Sequence, residues 1–446
     1  TQEAAEANSE ILRQHEYDLA KVIAANPNSI ISPGSELRPM YQLEALLGHH
    51  PNFTRLKSNS LKGIDYPADA LPEETRIAIL KQQLERGNHK SALCVEAEPI
   101  VNKLMIEDTK LGYAIPVTKE CIINLKHAEL YPLGLQHQLT IDEHGKQIPK
   151  KRVTHDLSNQ KKFGLSINQR VNEDLIPETT YGFALQRFLH LIHHIRFQHP
   201  KTRILMCKTD FEKAYRRLHT TPEIASKCIA AWTTKHEINQ DISAEKFIGS
   251  ILTRLPFGSS PAPAEFSICS ETIFDLANDL LQCPYWDTTK TPSRYNDDLP
   301  QPERLQDDIP FGPALPADVH LPPSLKAGVE GYIDDGEVPV LDSPSNAKMV
   351  ERARQALPMA TQLVFRPHAQ RSEPIDRPDP LSLRKLEAEG RLRELIVFLG
   401  WEIDSRRFII KLTKEKTRAW SESITSILNE HTITWEDAAT LVGRLN

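Results

Sequence analysis

Apolar positions recur with two different periods along this chain, and the change of period divides it. Over residues 2–26 ("QEAAEANSEILRQHEYDLAKVIAAN") they return every three to four residues, which predicts a helix ending at Pro27. A second helix is expected around 36–48. A third is expected over 73–87 ("EETRIAILKQQLERG"), closed by Gly87 at its C-cap. This first stretch, 1–109, carries no nameable chemistry and reads as a helical extension. From about 110 the apolar runs shorten. "GYAIPV" (112–117) and "HQLTID" (137–142) read as strands, with "EHGK" (143–146) as a turn. "KKRVTHDLS" (150–158) is basic and then strand-like. "TRILMCKTD" (202–210) is a buried-type strand ending on an acid, and "FEKAYRRLHT" is expected to open a helix.

Farther on, "TRLPFG" (253–258) reads as a strand that leads through "SSPAP" into a helix from about Ala264 to Leu281. "EGYID" and "GEVPVLD" predict a hairpin about an Asp335-Gly336 turn, because Asp-Gly favours two-residue turns. "IVFLGWEID-SRR-FIIKLT" (396–413) predicts a second hairpin. Two helical segments follow, near 414–429 and 435–446, the second with Thr434 and Asp437 spaced as a capping box. Residues 284–326 and 366–382 are rich in Pro and acids. Both are expected to be surface loops, partly disordered, that bury little apolar surface. No internal repeat is visible.

Composition narrows the class. The 446 residues allow two to four domains or lobes, and 39% hydrophobic with 26% charged residues suits a globular protein with a sizeable core. No run of eighteen apolar residues occurs, so no membrane-spanning helix and no membrane partner are expected. The start lacks an initiator Met and a signal-peptide pattern, and the end stops inside a helical pattern, so a fragment of a longer protein is expected. Six cysteines without a CxxC pair point to reduced thiols and an intracellular setting (cytoplasm or nucleus) rather than a zinc site or disulfide framework. The 17 histidines include "HLIHH" (190–194), which fits the polar face of an amphipathic helix better than a metal site. Net charge is −6, but its distribution matters more than its sum. From Gly145 to Arg217 there are 15 Lys/Arg against 6 Asp/Glu, whereas Asp287–Asp318 holds 3 against 7. The total therefore hides a candidate phosphate-binding surface.

The acids carry the sharpest chemistry. Asp210 ends one strand, and Asp334 and Asp335 occupy a hairpin tip. If these elements are neighbours in one sheet, three carboxylates converge and cannot all stay ionised without a cation. Hard oxygen ligands select Mg2+ or Mn2+. Two such ions about 3.5–4 Å apart clamp the attacking and leaving oxygens of a phosphoryl transfer. Taken alone, "DDG" is an ordinary acidic turn.

"RVTHDLSNQKKFGLSIN", "KTDFEKAYRRLH", "LPFGSSPAPAEFS", "YIDD" and "FLGWEID" occur in that order. The series resembles the reverse transcriptase domain of retroelements, over about residues 110–446. "HDLS" and "LPFG" are most similar to polymerases of long-terminal-repeat or tyrosine-recombinase retrotransposons. The resemblance implies an α+β right-hand polymerase, with fingers and a palm made of an antiparallel sheet packed on helices, a partial helical thumb, and the helical N-terminal extension. Fingers and the start of the palm would cover 110–205. The palm would cover 206–412, with the two Pro-rich insertions and a primer-grip hairpin at 396–412, and the thumb would begin at 413–446.

The resemblance also implies roles. Asp210, Asp334 and Asp335 would be catalytic and, with the carbonyl of Phe211, would hold two Mg2+ or Mn2+ ions. Tyr215 would be the steric gate that excludes a 2'-hydroxyl. Arg152 and Lys146 would bind the incoming triphosphate. Phe257 and Gly258 would lie beneath the nucleotide, while Tyr332, Phe398, Leu399, Gly400 and Trp401 would contact primer and template. The partners implied are an RNA or DNA template, a primer strand and deoxynucleoside triphosphates. A ribonuclease H domain, usual downstream of such polymerases, is absent from these residues. No lysine-bearing strand stands out between "YIDD" and "FLGW". Two other readings compete: a catalytically inactive or domesticated nucleic-acid-binding relic of the same fold, and a carboxylate-metal hydrolase, which leaves "LPFG" and "FLGW" without a role.

Overall fold

The structure, a computed structural model, describes residues 1–66, 68–142, 144, 146–159, 165–234, 246–305, 308–366, 377–430 and 433–445. Parts of the expected 143–146 turn, of the "NQKKFG" stretch and of the second Pro-rich insertion lie outside the described residues. The strands are β1 (Ala114–Val117), β2 (Leu133–Ile141), β3 (Gln147–His155), β4 (Arg203–Asp210), β5 (Ile229–Thr234), β6 (Lys246–Leu252), β7 (Glu330–Tyr332), β8 (Asp335–Asp342), β9 (Leu395–Phe398), β10 (Trp401–Asp404) and β11 (Ile409–Leu412). They form antiparallel sheets in the orders β1-β6-β5, β2-β3, β4-β8-β7 and β11-β10-β9, and helices cover them, so the class is α+β.

The β4-β8-β7 sheet positions the acids. Its register sets Thr209 opposite Gly336, Cys207 opposite Val338 and Leu205 opposite Val340 on one face. That face packs on the helices Ala262–Gln282 and Ala347–Val364. Gly336 and Gly331 make this packing possible, because a Cβ on Gly331 would lie 2.0 Å from Phe274 and one on Gly336 would lie 2.8 Å from Leu357. The other face alternates as strand pleating requires and carries Asp210 with Asp335, Lys208 with Glu337, and Tyr332 and Glu330 on β7. The outer edge of β4 is also covered: Met206 exchanges two backbone hydrogen bonds with Arg393, at 2.7 and 2.9 Å. An open edge would be left with unpaired donors and acceptors.

Several sequence expectations need correction. The helix over 2–26 is two helices, Gln2–Gln14 and Leu19–Ala25, because Glu16 and Tyr17 take positive φ between them. "FEKAYRRLHT" forms only one 3-10 turn, Ala214–Arg217. "TRLPFG" is not a strand beyond a single bridge between Arg254 and His219. In the first hairpin the two turn residues are Ile333 and Asp334, since Tyr332 pairs with Asp335. Ile333 supplies the positive φ (56°), and Gly336 lies inside β8. The second hairpin is a three-stranded meander, with Leu399 (φ 49°) and Gly400 (φ 79°) turning β9 into β10. Positive φ at both central residues matches the twist of a two-residue hairpin turn. The later helices, Lys414–Glu430 and Trp435–Leu445, agree with the pattern, and Thr434 Oγ1 accepts the Asp437 N–H at 3.1 Å.

The Pro-rich stretch 284–326 packs tightly where it is described. Tyr295 and Leu299 are buried members of the main core. Phe311 lies under the guanidinium groups of Arg406 (4.1 Å) and Arg196 (4.9 Å), both buried. A few aromatic anchors thus suffice to seat a segment whose average composition is polar.

The N-terminal helices share this core through Leu37, Leu43, Leu47, Phe53 and Leu56. One carboxylate, Glu36, joins three regions. It faces Arg217 (3.3 Å), Arg254 (3.2 Å) and Arg377 (3.6 Å), and all four side chains are at most 4% exposed. Among the described residues no helix is long and apolar enough to cross a membrane, and the six cysteines are free thiols.

Candidate active site

Two strands and one turn assemble the acids. Asp210 is the last residue of β4 and pairs with Asp335, the first of β8. The turn between β7 and β8 then hangs Asp334 over the same end, where the Asp334 carbonyl accepts the Phe211 N–H at 3.2 Å. Antiparallel pairing therefore brings all three carboxylates to one end of the sheet. Asp210 is only 9% exposed.

Their charges are poorly accommodated. The Asp210 carboxyl is pushed up to about 7, by burial first, against the pull of Lys385 and with the charges of Asp335 and Asp334 adding to it. Asp334 is raised by burial and then by Asp335. Two residues along the same face, Glu337 is fully buried and its carboxyl is held well above the usual range by burial and by Asp335. Such a set is relieved by a bound cation. Two ammonium groups approach it: Lys385 Nζ is 2.7 Å from Asp210 Oδ1, and Lys208 Nζ is 3.1 Å from Asp335 Oδ2. Burial works against the Lys208 ammonium, yet the charges of Asp335 and Glu389 overcome it and raise its pKa. The donor chemistry, hard oxygens carrying excess negative charge, suits Mg2+ or Mn2+. Among the described residues no three His, Cys, Asp or Glu side chains stand ready as a cage.

The raised carboxyl of Asp210 has a consequence for stability. An unfolded aspartate loses its proton near pH 4, at about 3.9. Between there and pH 7 the fold keeps a proton that the unfolded chain has released. This group's contribution is therefore full below pH 4 and is lost as pH rises to 7. Asp210→Asn, which cannot ionise, is expected to flatten that fall in the urea midpoint between pH 4 and 7. An unchanged pH slope would show that the carboxyl is not held against its charge.

Aromatic residues flank the acids. The Tyr215 ring lies 5.0 Å from Phe257 and 5.7 Å from Phe266. Its hydroxyl is raised above the ordinary tyrosine value by burial and then by the charge of Asp334. Gly258 follows with φ 101°, and a Cβ there would fall 2.1 Å from the His155 carbonyl, so the chain passes directly under β3. Arg152, on β3, sets its guanidinium 5.6 Å above the Phe257 ring. Tyr332 meets Tyr181 edge-on at 5.4 Å.

Other expected residues lie differently. Lys146 is exposed at the far end of the β2-β3 hairpin, where its N–H binds Asp142 Oδ1 at 2.8 Å. Lys150 lies on the same face of β3 as Arg152 and is half-buried. Burial, then Arg152, lower its pKa, with Lys385 and Arg384 adding to the effect and Glu212 opposing it. Phe398 is fully buried against Phe188 at 5.5 Å, which leaves Leu399 and Gly400 at the turn. Lys416 Nζ caps the Leu399 carbonyl at 2.8 Å.

Three cations thus escaped the sequence reading. Lys208 could have been found, since it alternates with Asp210 on one strand face. Lys150 follows from Arg152 in the same way. Lys385 has no local signal, because it reaches Asp210 from the helix Leu383–Glu389 beyond the second insertion.

No protein-family model matches the chain, and no curated protein matches it. Solved structures similar to it include a foamy viral protease-reverse transcriptase, in a form designated dRH, in complex with double-stranded DNA. The TM-score is 0.41 at 12% identity, over 92% of this chain and 52% of that one. A second is the foamy viral protease-reverse transcriptase in complex with double-stranded DNA, with a TM-score of 0.39 at 12% identity over 92% of this chain and 62% of that one. The chain therefore spans about half to three-fifths of the length of these similar structures.

Proposed function

We propose that the chain is a templated DNA polymerase of the reverse transcriptase kind, from a retroelement polyprotein, that adds deoxynucleotides to a primer 3'-hydroxyl on RNA or DNA. The observation that carries this reading is the β4-β8 register, which sets Asp210 beside Asp335 while the turn residue Asp334 bonds back to Phe211. Under this reading β4, β8 and β7 with their two helices are the palm, and β2-β3 is the fingers hairpin. The β9-β10-β11 meander is the primer grip, and helices Lys414–Glu430 and Trp435–Leu445 begin the thumb.

Asp210 and Asp334 would hold two divalent cations, with Asp335 and the Phe211 carbonyl as further ligands. When bound, these ions would supply Lewis-acid activation of the 3'-hydroxyl and neutralise charge on the departing pyrophosphate. The chain's own residues orient the reactants. Arg152, steadied over Phe257, grips the triphosphate by its planar fork, and Lys150 adds a second cation from the same strand face. Phe257 and Gly258 form the floor beneath the nucleotide. Tyr215 would lie beneath the sugar and exclude a 2'-hydroxyl.

The test is primer extension. Purified protein with Mg2+ or Mn2+ is expected to extend oligo(dT) on poly(rA). Absence of extension with either ion, in protein that still binds the duplex, would overturn the reading. Tyr215→Val is expected to raise incorporation of ribonucleotides over deoxynucleotides by about tenfold or more, the loss of roughly 1.4 kcal/mol of discrimination. Unchanged sugar selectivity would remove Tyr215 from that role.

A second reading is favoured by the two ammonium groups on Asp210 and Asp335: a nucleic-acid-binding protein without catalysis, in which lysines neutralise the acids. It predicts binding with a steep salt dependence and no extension.

A further inference from the structure

The two Pro-rich insertions meet at one carboxylate. Asp379 accepts the hydroxyl proton of Tyr295 and faces the Arg294 guanidinium, with Nη2 2.9 Å from Oδ2. Tyr295 is 2% exposed and belongs to the main core, so this end of the contact is anchored. Asp379 Oδ1 also accepts the Leu381 N–H at 3.2 Å. From the other side the buried Arg217 donates to the carbonyls of Pro378, at 2.9 Å, and of Asp379.

The next residues run antiparallel to the chain leaving β4. The Glu212 N–H donates to the Pro380 carbonyl at 2.9 Å, and the Ser382 N–H donates to the Asp210 carbonyl at 3.0 Å. Phe211 and Leu381 are the bridged pair between them. The helix Leu383–Glu389 starts at once and brings Lys385 Nζ to within 2.7 Å of Asp210 Oδ1. An unbroken series of contacts therefore leads from Tyr295 in the first insertion to the carboxylate of Asp210.

We propose that Asp379 is a positioning residue for the site: it clasps the two insertions and so holds residues 380–385 along the end of β4, with Lys385 against Asp210. The effect on turnover rests on the polymerase reading, whereas the clasp itself does not. The clasp reaches Asp210 through the backbone of residues 380–382 and the helix that follows, so its influence passes through backbone placement. Misplacement of a charged group by about 1 Å can cost on the order of a hundredfold in rate.

The test uses the whole chain and two kinds of readout. Asp379→Asn and Tyr295→Phe keep shape and packing while weakening the clasp. Hydrogen exchange in peptides covering residues 206–214 and 380–386 is expected to rise by about tenfold in both variants. Exchange unchanged in both overturns the clasp, whether or not the protein extends primers. In primer extension, Asp379→Ala is expected to lower kcat by roughly tenfold or more, with KM for dTTP held within about twofold. Lys385→Ala should lose at least as much, and the double variant no more than Lys385→Ala alone, because Asp379 acts through Lys385. A double variant showing the product of the two single losses would overturn the positioning role. A wild-type protein that does not extend, yet shows the exchange effect, would remove the polymerase reading and leave the clasp standing.

Discussion

Asp334→Asn is expected to abolish primer extension, with a fall in kcat of about a thousandfold or more, the equivalent of roughly 4 kcal/mol of lost transition-state stabilisation. The substitution keeps the shape of the turn but removes a hard anionic ligand from the hairpin tip. It should not unfold the protein, because the Asp334 carboxyl is already held above its ordinary value by burial and by Asp335. Removing its charge relieves repulsion. Thermal melting and extension measured on the same preparation separate the two effects. Asp335→Asn should lose less, since the Asp335 carboxylate is paired with Lys208 at 3.1 Å and starts a strand rather than projecting from the turn. Equal extension by wild type and Asp334→Asn would end the assignment of the site.

The largest effect on stability is expected at Glu36. Its carboxylate is the shared counter-ion of Arg217, Arg254 and Arg377 in a region with almost no solvent. Carbonyl oxygens satisfy several of the guanidinium N–H groups, among them those of Ile30 and Arg216 for Arg254 and of Glu212 for Arg217. They do not cancel the charge. Glu36→Gln keeps the volume but removes the carboxylate that three buried cations share, which is expected to cost about 3–5 kcal/mol. Urea unfolding at neutral pH reads this as a lower midpoint with the slope unchanged. A loss below about 1 kcal/mol would mean that the carbonyls alone hold the cluster, since a surface pair is worth no more than that. Because Arg217 also holds the Asp379 segment, weaker Glu36 variants should loosen residues 380–382 as well.

The local elements were largely legible. The helices Glu73–Arg86 and Ala262–Gln282, the strand Arg203–Asp210 and the presence of a hairpin at β7-β8 follow from periodicity within a dozen or so residues. The errors fall where a local preference competes with a distant partner. "DDG" favours an Asp-Gly turn, yet Gly336 is drawn into β8 because Phe274 and Leu357 need the space that its missing side chain leaves. The turn shifts by two residues, and Ile333 takes the positive φ that a glycine would adopt more easily. The Pro-rich stretch 284–326 looks unable to bury anything by composition, yet Tyr295 and Phe311 find partners in Asp379, Arg196 and Arg406.

The chain alone was enough to identify the available acids, the order of the segments that carry them, the strand ending on Asp210 and the hairpin bearing Asp334 and Asp335. These are properties of short windows, where propensity and spacing act. Tertiary packing alone set the pairing of β4 with β8 in the register that places Asp210 opposite Asp335, and it alone brought Lys385 to Asp210. Register and long-range charge pairing depend on residues more than a hundred positions apart, whose meeting is set by the packing of whole faces and leaves no periodic trace in the chain.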